Sequence, residues 1–285
     1  MTSPSTIDLH AHTTASDGTL SPARLVEEAS IRGLSVLGVT DHDTLDGLPE
    51  AIAAAAVHKI TVVPGVELST TVSSGEVHIL GYFVDATDQE FVSVLRSLAD
   101  ARRRRIETMI TLLQALGFDL DRDRIMRDAE DGSIGRPHVA RALLRLGVVE
   151  SVSDAFDRFL KPGTPGWVPR ERFAPEQAVT LLTSNGALPV LAHPYSTKGV
   201  EATVDQLVPA GLRGLEVFYG EYSEEQRRHL FGIAERTGLI PTGGSDYHGP
   251  PHREGRALGS VDVPGWVWDR LSSTSQAARL MRGTP

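Results

Sequence analysis

The sequence contains no cysteine, and this absence removes several chemistries at once. Disulfide bonds, thiolate metal sites and a cysteine nucleophile are all excluded. Aromatic residues make up only 6% of the chain, and no apolar run approaches the roughly 20 residues that a membrane span needs. The first residues also lack the basic and apolar segments of a secretory signal. We therefore expect a cytoplasmic protein with no membrane partner.

The chain has fewer basic than acidic residues: 28 Lys and Arg residues against 37 Asp and Glu residues give a formal net charge of -9. Such a surface should repel nucleic acid as a whole. A protein that coats polyanions is therefore excluded, and any phosphate substrate must be held by a local positive centre. The 285 residues, of which 40% are hydrophobic, suffice for one large or two ordinary domains.

Seven short apolar runs alternate with amphipathic segments that carry helix start and stop signals. The predicted strands are residues 6–13, 35–40, 61–66, 77–84, 188–192, 214–218 and 239–242. Helix starts are indicated by Ser21 with Pro22, by Pro175, and by Ser223 with Gln226, and helix ends by Gly33 and Gly186. This alternation predicts an α/β barrel of parallel strands, one unit short of eight.

The alternation is interrupted between about residues 90 and 170, where a long amphipathic helix, shorter helical segments and a Pro/Gly-rich loop follow one another. We expect a helical insertion between strands 4 and 5 that caps the barrel and takes part in substrate binding. The expected division is residues 1–89 and 171–285 for the two parts of the barrel, with 90–170 as the insertion. One more strand and a terminal helix are expected in the last thirty residues.

Residues that bind metals recur at the ends of the predicted strands. His10 and His12 leave the same face of the first strand, because side chains alternate along it. The other candidate ligands are Asp17, His42, Glu67, His78, His193, Asp246 and His248. Any one of these could be an ordinary polar residue at a strand end. Because the carboxyl ends of parallel barrel strands meet at one mouth, the nine together predict a single site.

The ligand types indicate both the ion and the chemistry. Six imidazoles and three carboxylates suit Mn²⁺, Zn²⁺ or Fe²⁺ better than Ca²⁺ or Mg²⁺, whose sites are built from oxygen. Nine ligands are too many for one ion, and three divalent ions would leave the site with a charge of about +3. Such a centre would attract a phosphate dianion and activate water, so that hydroxide attacks phosphorus.

The segments DLHAHTTASDG, GVTDHD, PGVELS, VHILGY, LAHP and GGSDYHG resemble the motifs of the PHP (polymerase and histidinol phosphatase) family over most of the chain. The resemblance implies a distorted (β/α)7 barrel and three divalent metal ions, with Mn²⁺ expected and Zn²⁺ or Fe²⁺ as alternatives. It also implies that all nine residues are ligands. The implied sets are His10, His12, Glu67 and Asp246 at the first ion, Glu67, His78 and His193 at the second, and Asp17, His42 and His248 at the third.

The segments IGRPHVARAL, DAFDRFLKPGTPGWVP and GLEVFYGEYS are similar to the nucleotide phosphoesterases of that family. The resemblance implies removal of the 3'-phosphate of a 3',5'-nucleoside bisphosphate, with 5'-3' exoribonuclease activity on short 5'-phosphorylated RNA as the alternative. Hydrolysis of another small phosphomonoester, such as histidinol phosphate, and a non-catalytic metal-stabilised binding module stay open. No obligate protein partner is evident.

Four further residues are candidates for substrate binding. Arg136 and His138 lie at a predicted helix start, where an Arg fork and backbone N–H groups can clamp a phosphate. A surface arginine and a helix-capping histidine are the alternatives. Lys161 and Tyr219 are weaker candidates, and a solvated lysine and a rim aromatic are the alternatives. Arg102 to Arg105 are interpreted as a solvated helix face, with an RNA track as the alternative.

Overall fold

A computed structural model describes residues 6–72, 75–128, 132–197, 199–250 and 255–281. Its seven strands form one sheet in sequential order, β1 to β7. They are β1 (Ile7–Ala11), β2 (Val36–Val39), β3 (Thr61–Val72), β4 (Gly75–Tyr82), β5 (Leu188–Leu191), β6 (Gly214–Tyr219) and β7 (Ile240–Gly244). A bridge between Ala11 and Tyr247 brings the two edges of the sheet together, so the barrel is nearly closed. The α/β barrel of seven strands is thereby confirmed.

Glycine allows the strands of the barrel to approach closely. A Cβ atom at Gly244 would lie 2.5 Å from the backbone nitrogen of His10, and one at Gly38 would lie 2.1 Å from the carbonyl oxygen of Leu9. Any side chain at these two positions would push β7 or β2 away from β1. The two glycines therefore help to bring the ligand-bearing strand β1 against its neighbours.

The helices begin and end at the signals that the sequence carries. They are α1 (Pro22–Ile31), α2 (Leu48–His58), α3 (Gln89–Ala115), α4 (Arg122–Arg127), α5 (Arg136–Arg145), α6 (Val152–Ala155), α7 (Pro175–Asn185), α8 (Val200–Leu207), α9 (Glu224–Thr237) and α10 (Gly265–Met281). Ser21 caps α1, the Ser223 and Gln226 capping box starts α9, and Gly186 ends α7 in a left-handed conformation. No helix in the described ranges is long and apolar enough to cross a membrane.

The sheet is not wholly parallel, which corrects the prediction of parallel strands throughout. Strand β4 runs antiparallel to both β3 and β5, whereas the other neighbouring pairs are parallel. Strand β3 continues six residues beyond the predicted end at Val66 and forms a hairpin with β4. His78 and Glu67 therefore lie in the middle of their strands, β4 and β3, and not at strand ends.

The C-terminal region also differs from expectation. Within residues 255–281 the structure has a terminal helix, α10, but no eighth strand. Val261, Val263, Val267 and Leu271 pack in one hydrophobic cluster with residues of β1, β2, β4 and β5. The apolar run that suggested a strand is therefore used for side-chain packing against the barrel, without a ladder of hydrogen bonds.

The segment from α3 to Pro169 has a hydrophobic cluster of its own. Helices α3, α5 and α6 contribute to it, and a single π-helical turn, Phe156–Leu160, continues α6. In chain order the segment follows β4 and precedes β5. Its treatment as a separate unit with boundaries at residues 90 and 170 stays a prediction.

Candidate metal centre

Glu67 lies at the centre of the imidazole cluster at the barrel mouth. Its Oε1 lies 2.8 Å from His78 Nδ1 and 3.0 Å from His193 Nε2. Its Oε2 lies 3.1 Å from His12 Nε2, 3.2 Å from His10 Nε2 and 3.4 Å from His42 Nδ1. One carboxylate therefore contacts five imidazoles on both of its oxygens, which is the arrangement expected of a ligand shared between cations.

Three overlapping groups of side chains have ligand atoms close enough to hold an ion. They are His10, His12, Glu67 and Asp246; His42, Glu67 and His78; and His12, Asp17, His42 and His248. The atoms in each group lie within 4.8 Å of one another. The first group is the set implied for the first ion, and the third group adds His12 to the set implied for the third. In the second group His42 takes the place of His193, which instead contacts the shared Glu67.

The ligand atoms of the cluster are placed to bind divalent cations, and they do not all satisfy one another by hydrogen bonding. His10 Nε2 and His12 Nε2 lie 3.1 Å apart and face the same carboxylate oxygen. Buried His12 Nδ1, Asp17 Oδ1 and His42 Nδ1 have no hydrogen-bond partner among the described residues. A buried polar atom without a partner costs about 1 to 3 kcal/mol, so such a concentration marks a functional site. Divalent metal ions would satisfy these atoms, and the residues present are of the types that bind them.

The electrostatics of the cluster favour added positive charge. Burial alone would raise the pKa values of Asp17, Glu67 and Asp246, but the surrounding imidazoles hold all three well below their usual range. Burial lowers the pKa of His10, yet Glu216, Glu67 and Asp246 outweigh it and raise that pKa well above its usual value. The carboxylates thus remain ionised and stabilise a cation, whether a proton on His10 or a metal in its place.

Two of the candidate ligands have strained backbones. His193 follows β5 with φ of 25°, and Asp246 follows β7 with φ of 53°. Residues other than glycine rarely adopt positive φ, at a cost on the order of 1–3 kcal/mol, and such residues concentrate at functional sites. The strain turns both side chains into the mouth immediately after their strands end.

Glu216 is a functional residue that the sequence analysis missed. It is fully buried on β6, accepts a hydrogen bond from His10 Nδ1 at 2.9 Å and another from the backbone N–H of His193 at 2.6 Å. A carboxylate in this position fixes the ring and the tautomer of a ligating histidine. A charged residue within the apolar run GLEVFY was the available signal for it.

Two other buried carboxylates hold the loops that carry ligands. Asp8 accepts hydrogen bonds from the backbone N–H and the hydroxyl of Ser245, the residue before Asp246. Asp41 accepts from the backbone and hydroxyl of Thr13 and from the hydroxyl of Ser16, the residue before Asp17. These contacts position the loops that carry Asp17 and Asp246.

Asp246 is itself held by two side chains on its outer oxygen. Tyr219 donates to Asp246 Oδ2 at 2.9 Å and Arg256 donates to the same atom at 2.7 Å, while Oδ1 faces His10 and His12. Burial raises the pKa of Tyr219, so its hydroxyl keeps its proton and acts as a donor. Tyr219 lines the cavity, and its contact with substrate stays a prediction. Arg256 is an additional lining residue that no motif indicated.

A cavity of about 570 Å³ lies over the cluster, and four of the arginines that line it form a group that we call the arginine wall. These arginines are Arg102, Arg105, Arg136 and Arg170. Interpretation of the Arg102 to Arg105 run as a solvated face was wrong for Arg102 and Arg105, which are each only 7% exposed. Both side chains point inward because they pair with carboxylates. Arg102 donates to Asp43 at 2.6 Å, and Arg105 donates to Glu76 at 3.3 Å.

Of the four residues expected to bind substrate, Arg136 and Tyr219 line the cavity, whereas His138 and Lys161 do not. Arg136 lines the cavity and pairs with Glu76. His138 does not line it among the described residues; its buried Nδ1 accepts from the Gly135 N–H at 3.1 Å and caps α5, and burial lowers its pKa to about 4. Lys161 is also away from the wall and pairs with Asp157 at 3.0 Å. Arg105 and Arg170, from distant parts of the chain, stand beside Arg136 instead.

Comparisons with known proteins agree with this geometry. A family model described as the PHP domain matches residues 8–129. The 3',5'-nucleoside bisphosphate phosphatase of Chromobacterium violaceum is 34% identical and the alignment covers 97% of this chain and 98% of the relative. The 5'-3' exoribonuclease Rnm of Escherichia coli K12 is 31% identical, with 94% of this chain and 96% of the relative covered.

A solved structure extends the comparison to the fold. A metal-dependent phosphoesterase from Bifidobacterium adolescentis superposes with a TM-score of 0.87 at 30% identity, covering 94% of this chain and 95% of that chain. Identity of this extent across nearly the whole length, together with the imidazole and carboxylate cluster, establishes the family. The chain belongs to the PHP domain family and is a metal-dependent hydrolase.

Proposed function

We propose that the protein hydrolyses nucleotide phosphoesters, and that its preferred small substrate is a 3',5'-nucleoside bisphosphate from which it removes the 3'-phosphate. The observation that carries the proposal is the pairing, in one cavity, of a ligand cluster for divalent ions with a wall of guanidinium groups. A substrate with two separated phosphates has one anion for each of these regions. The bisphosphate phosphatase activity named for the Chromobacterium violaceum relative supports the same assignment.

The metal centre of this proposal uses all nine residues of the cluster and three divalent ions, with Mn²⁺ as the expected ion. Glu67 is the shared ligand, since its two oxygens face different imidazoles. When bound, such ions lower the pKa of a coordinated water and offset charge on phosphoryl oxygens. Glu216 and Arg256 position His10 and Asp246 in this scheme, and neither contacts the reacting atoms.

Arg136, Arg105 and Arg170 form the proposed grip on the 5'-phosphate. Arg136 and Arg105 share Glu76, and the Arg170 Nε is buried without a hydrogen-bond partner among the described residues. With Arg102 included, the wall has four guanidiniums against the two carboxylates Glu76 and Asp43. This leaves net positive charge on the wall, and guanidinium forks match the oxygens of a phosphate. This corrects the grip expected from Arg136 and His138, since His138 is used in capping α5.

The reaction adds water across the bond between phosphorus and the 3'-oxygen. The water oxygen joins phosphorus, and its proton goes to the departing 3'-oxygen, so that a nucleoside 5'-monophosphate and inorganic phosphate result. The side chains of the cluster hold the ester at the mouth, while the arginine wall fixes the distance to the second phosphate. Positioning of this kind contributes to catalysis by converting binding energy into orientation.

Stepwise 5'-3' hydrolysis of 5'-phosphorylated RNA is a second candidate, and a specific observation favours it. The cavity opens beside His78 and His193 into a further cavity, so the mouth is not closed around a single nucleotide. The bond that is cleaved is the same, between phosphorus and a 3'-oxygen. The exoribonuclease named among the relatives supports this candidate.

A substrate panel tests the proposal. With Mn²⁺-loaded enzyme, kcat/KM for adenosine 3',5'-bisphosphate should exceed that for adenosine 3'-monophosphate by roughly tenfold to a hundredfold, because a charge-assisted contact contributes about 1.5 to 3 kcal/mol. Arg136→Gln should remove most of that preference through KM. Arg103→Gln, an exposed neighbour on α3, is the matched control and should retain it. Equal kcat/KM for the two substrates in the wild type would refute the phosphate grip.

A further inference from the structure

A second cavity, of about 1100 Å³, lies beside the first and shares part of its wall. The shared residues are Glu76, His78, Arg136, Arg170, His193 and Ser196. Because His78 and His193 belong to the ligand cluster, the second cavity reaches the barrel mouth directly. The Glu76 and Arg136 ion pair stands between the two cavities, so a ligand held at the mouth can extend in two directions.

The second cavity has an aromatic face and guanidinium groups with donors that are not used by other partners. Trp167 is partly exposed, and its indole makes no hydrogen bond or ring contact with any residue that the structure describes. Arg172 is exposed and forms no ion pair within the described ranges. Arg170 adds the buried Nε that has no partner there. An aromatic platform beside cations is the usual arrangement for binding single-stranded nucleic acid.

The loop that carries Trp167 is fixed from both sides. A Cβ atom at Gly166 would lie 2.7 Å from Leu113 Cδ2, so the backbone is pressed against α3. On the other side of Trp167, the carbonyl of Val168 accepts a hydrogen bond from Arg105 Nε at 2.8 Å. The indole is therefore presented on a backbone that is already ordered, which reduces the entropy lost when a ligand stacks on it.

We propose that this second cavity binds the nucleotides that follow the cleaved bond in a 5'-phosphorylated oligonucleotide. Trp167 stacks on a downstream base, and Arg172 pairs with a downstream phosphate. The inference rests on the proposed function, since the first nucleotide and its 5'-phosphate occupy the first cavity. Water adds oxygen to phosphorus and a proton to the 3'-oxygen, so the downstream strand keeps the phosphate as its new 5'-phosphate and becomes the next substrate.

The test compares substrate lengths within one enzyme. The quantity measured is the ratio of kcat/KM for a 5'-phosphorylated trinucleotide of adenosine to that for adenosine 3',5'-bisphosphate. In Trp167→Ala this ratio should fall about tenfold, as expected for the loss of one stacked base, and Trp167→Phe should restore most of it. Arg172→Gln should lower the ratio less and should reduce its dependence on salt. Arg103→Gln is the matched control, since Arg103 lines neither cavity.

Binding provides a second measurement that does not depend on turnover. The anisotropy of a fluorescent 5'-phosphorylated trinucleotide, titrated with wild-type protein in EDTA, should give about tenfold tighter binding than with Trp167→Ala. Circular dichroism verifies the fold of each variant, and Arg172→Gln replaces Trp167→Ala if the latter does not fold. A length ratio and affinity that are unchanged in the folded variants would overturn the inference. If the wild-type enzyme cleaves the bisphosphate but no oligonucleotide, only the inference about the second cavity is overturned. If it hydrolyses neither substrate, the proposed function is overturned as well.

Discussion

The two ends of the cavity are both buried and charged, but their charges are organised in opposite ways. At the barrel mouth, imidazole nitrogens and carboxylate oxygens lie close to one another, as in the 3.1 Å contact of His10 Nε2 with His12 Nε2. On the arginine wall, cations meet carboxylates, as in the 2.6 Å contact of Arg102 with Asp43. The mouth therefore favours cations from solution, whereas the wall already contains carboxylates that pair with its own cations.

This difference assigns different kinetic roles to the two regions. Residues at the mouth act through bound metal, so their replacement should change metal content and kcat together. Under the proposed function, residues on the wall act through a phosphate that does not react, so their replacement should change KM. A mouth variant that leaves metal content intact, or a wall variant that loses metal, would contradict the division.

The largest effect is expected for Glu67→Gln. An amide removes one negative charge from two of the three ligand groups and points N–H donors at imidazole nitrogens. We expect kcat to fall by roughly a thousandfold, with loss of bound metal measured by elemental analysis. Glu225→Gln, on the exposed face of α9, should retain both. Full metal content with ordinary kcat in Glu67→Gln would remove the shared-ligand role.

Much of the mouth could be predicted from the sequence, because its ligands follow apolar runs that the barrel gathers at one edge. The left-handed backbone at His193 and Asp246 could not, since nothing local in the sequence requires it. The reversal of β4 could have been predicted, because the predicted third and fourth strands leave only ten residues, 67–76, between them. A crossover between parallel neighbours needs a dozen or more residues.

The arginine wall could not be predicted in the same way. Arg105 lies on α3, Arg136 starts α5, and Arg170 lies in the loop before α7, so no strand period or shared motif connects them. The three arginines come together because they form ion pairs with Glu76 and Asp43 in the folded protein. These contacts join distant parts of the chain and leave no local signal in the sequence. His138, two residues after Arg136, shows the converse error. It was assigned to phosphate binding, whereas its ring completes a helix cap, which was the alternative interpretation.

A smaller effect at the mouth is expected for Glu216→Gln. The carboxylate accepts from His10 Nδ1 and from the His193 N–H, whereas an amide has a single acceptor oxygen and leaves one donor unpaired. We expect metal affinity, measured by competition with a chromophoric chelator, to fall about tenfold to a hundredfold. Excess metal should restore most of kcat. Glu201→Gln, whose partner His229 is on the surface, is the control, and unchanged affinity in Glu216→Gln would contradict an orienting role.

The smallest effect concerns the wall and is a change in stability with pH. Burial would raise the pKa of Glu76, but Arg136 and Arg170 lower it to about 2, below its ordinary 4.5. A carboxyl with a depressed folded-state pKa stabilises the fold above pH 4.5, and that contribution is lost as pH falls towards 2. In urea unfolding with EDTA, the stability lost in Glu76→Gln should be about 1 kcal/mol smaller at pH 3.5 than at pH 7. Glu171→Gln, in an exposed pair with Arg104, should show no such change, and an equal loss for Glu76→Gln at both pH values would show that its charge does not stabilise the wall.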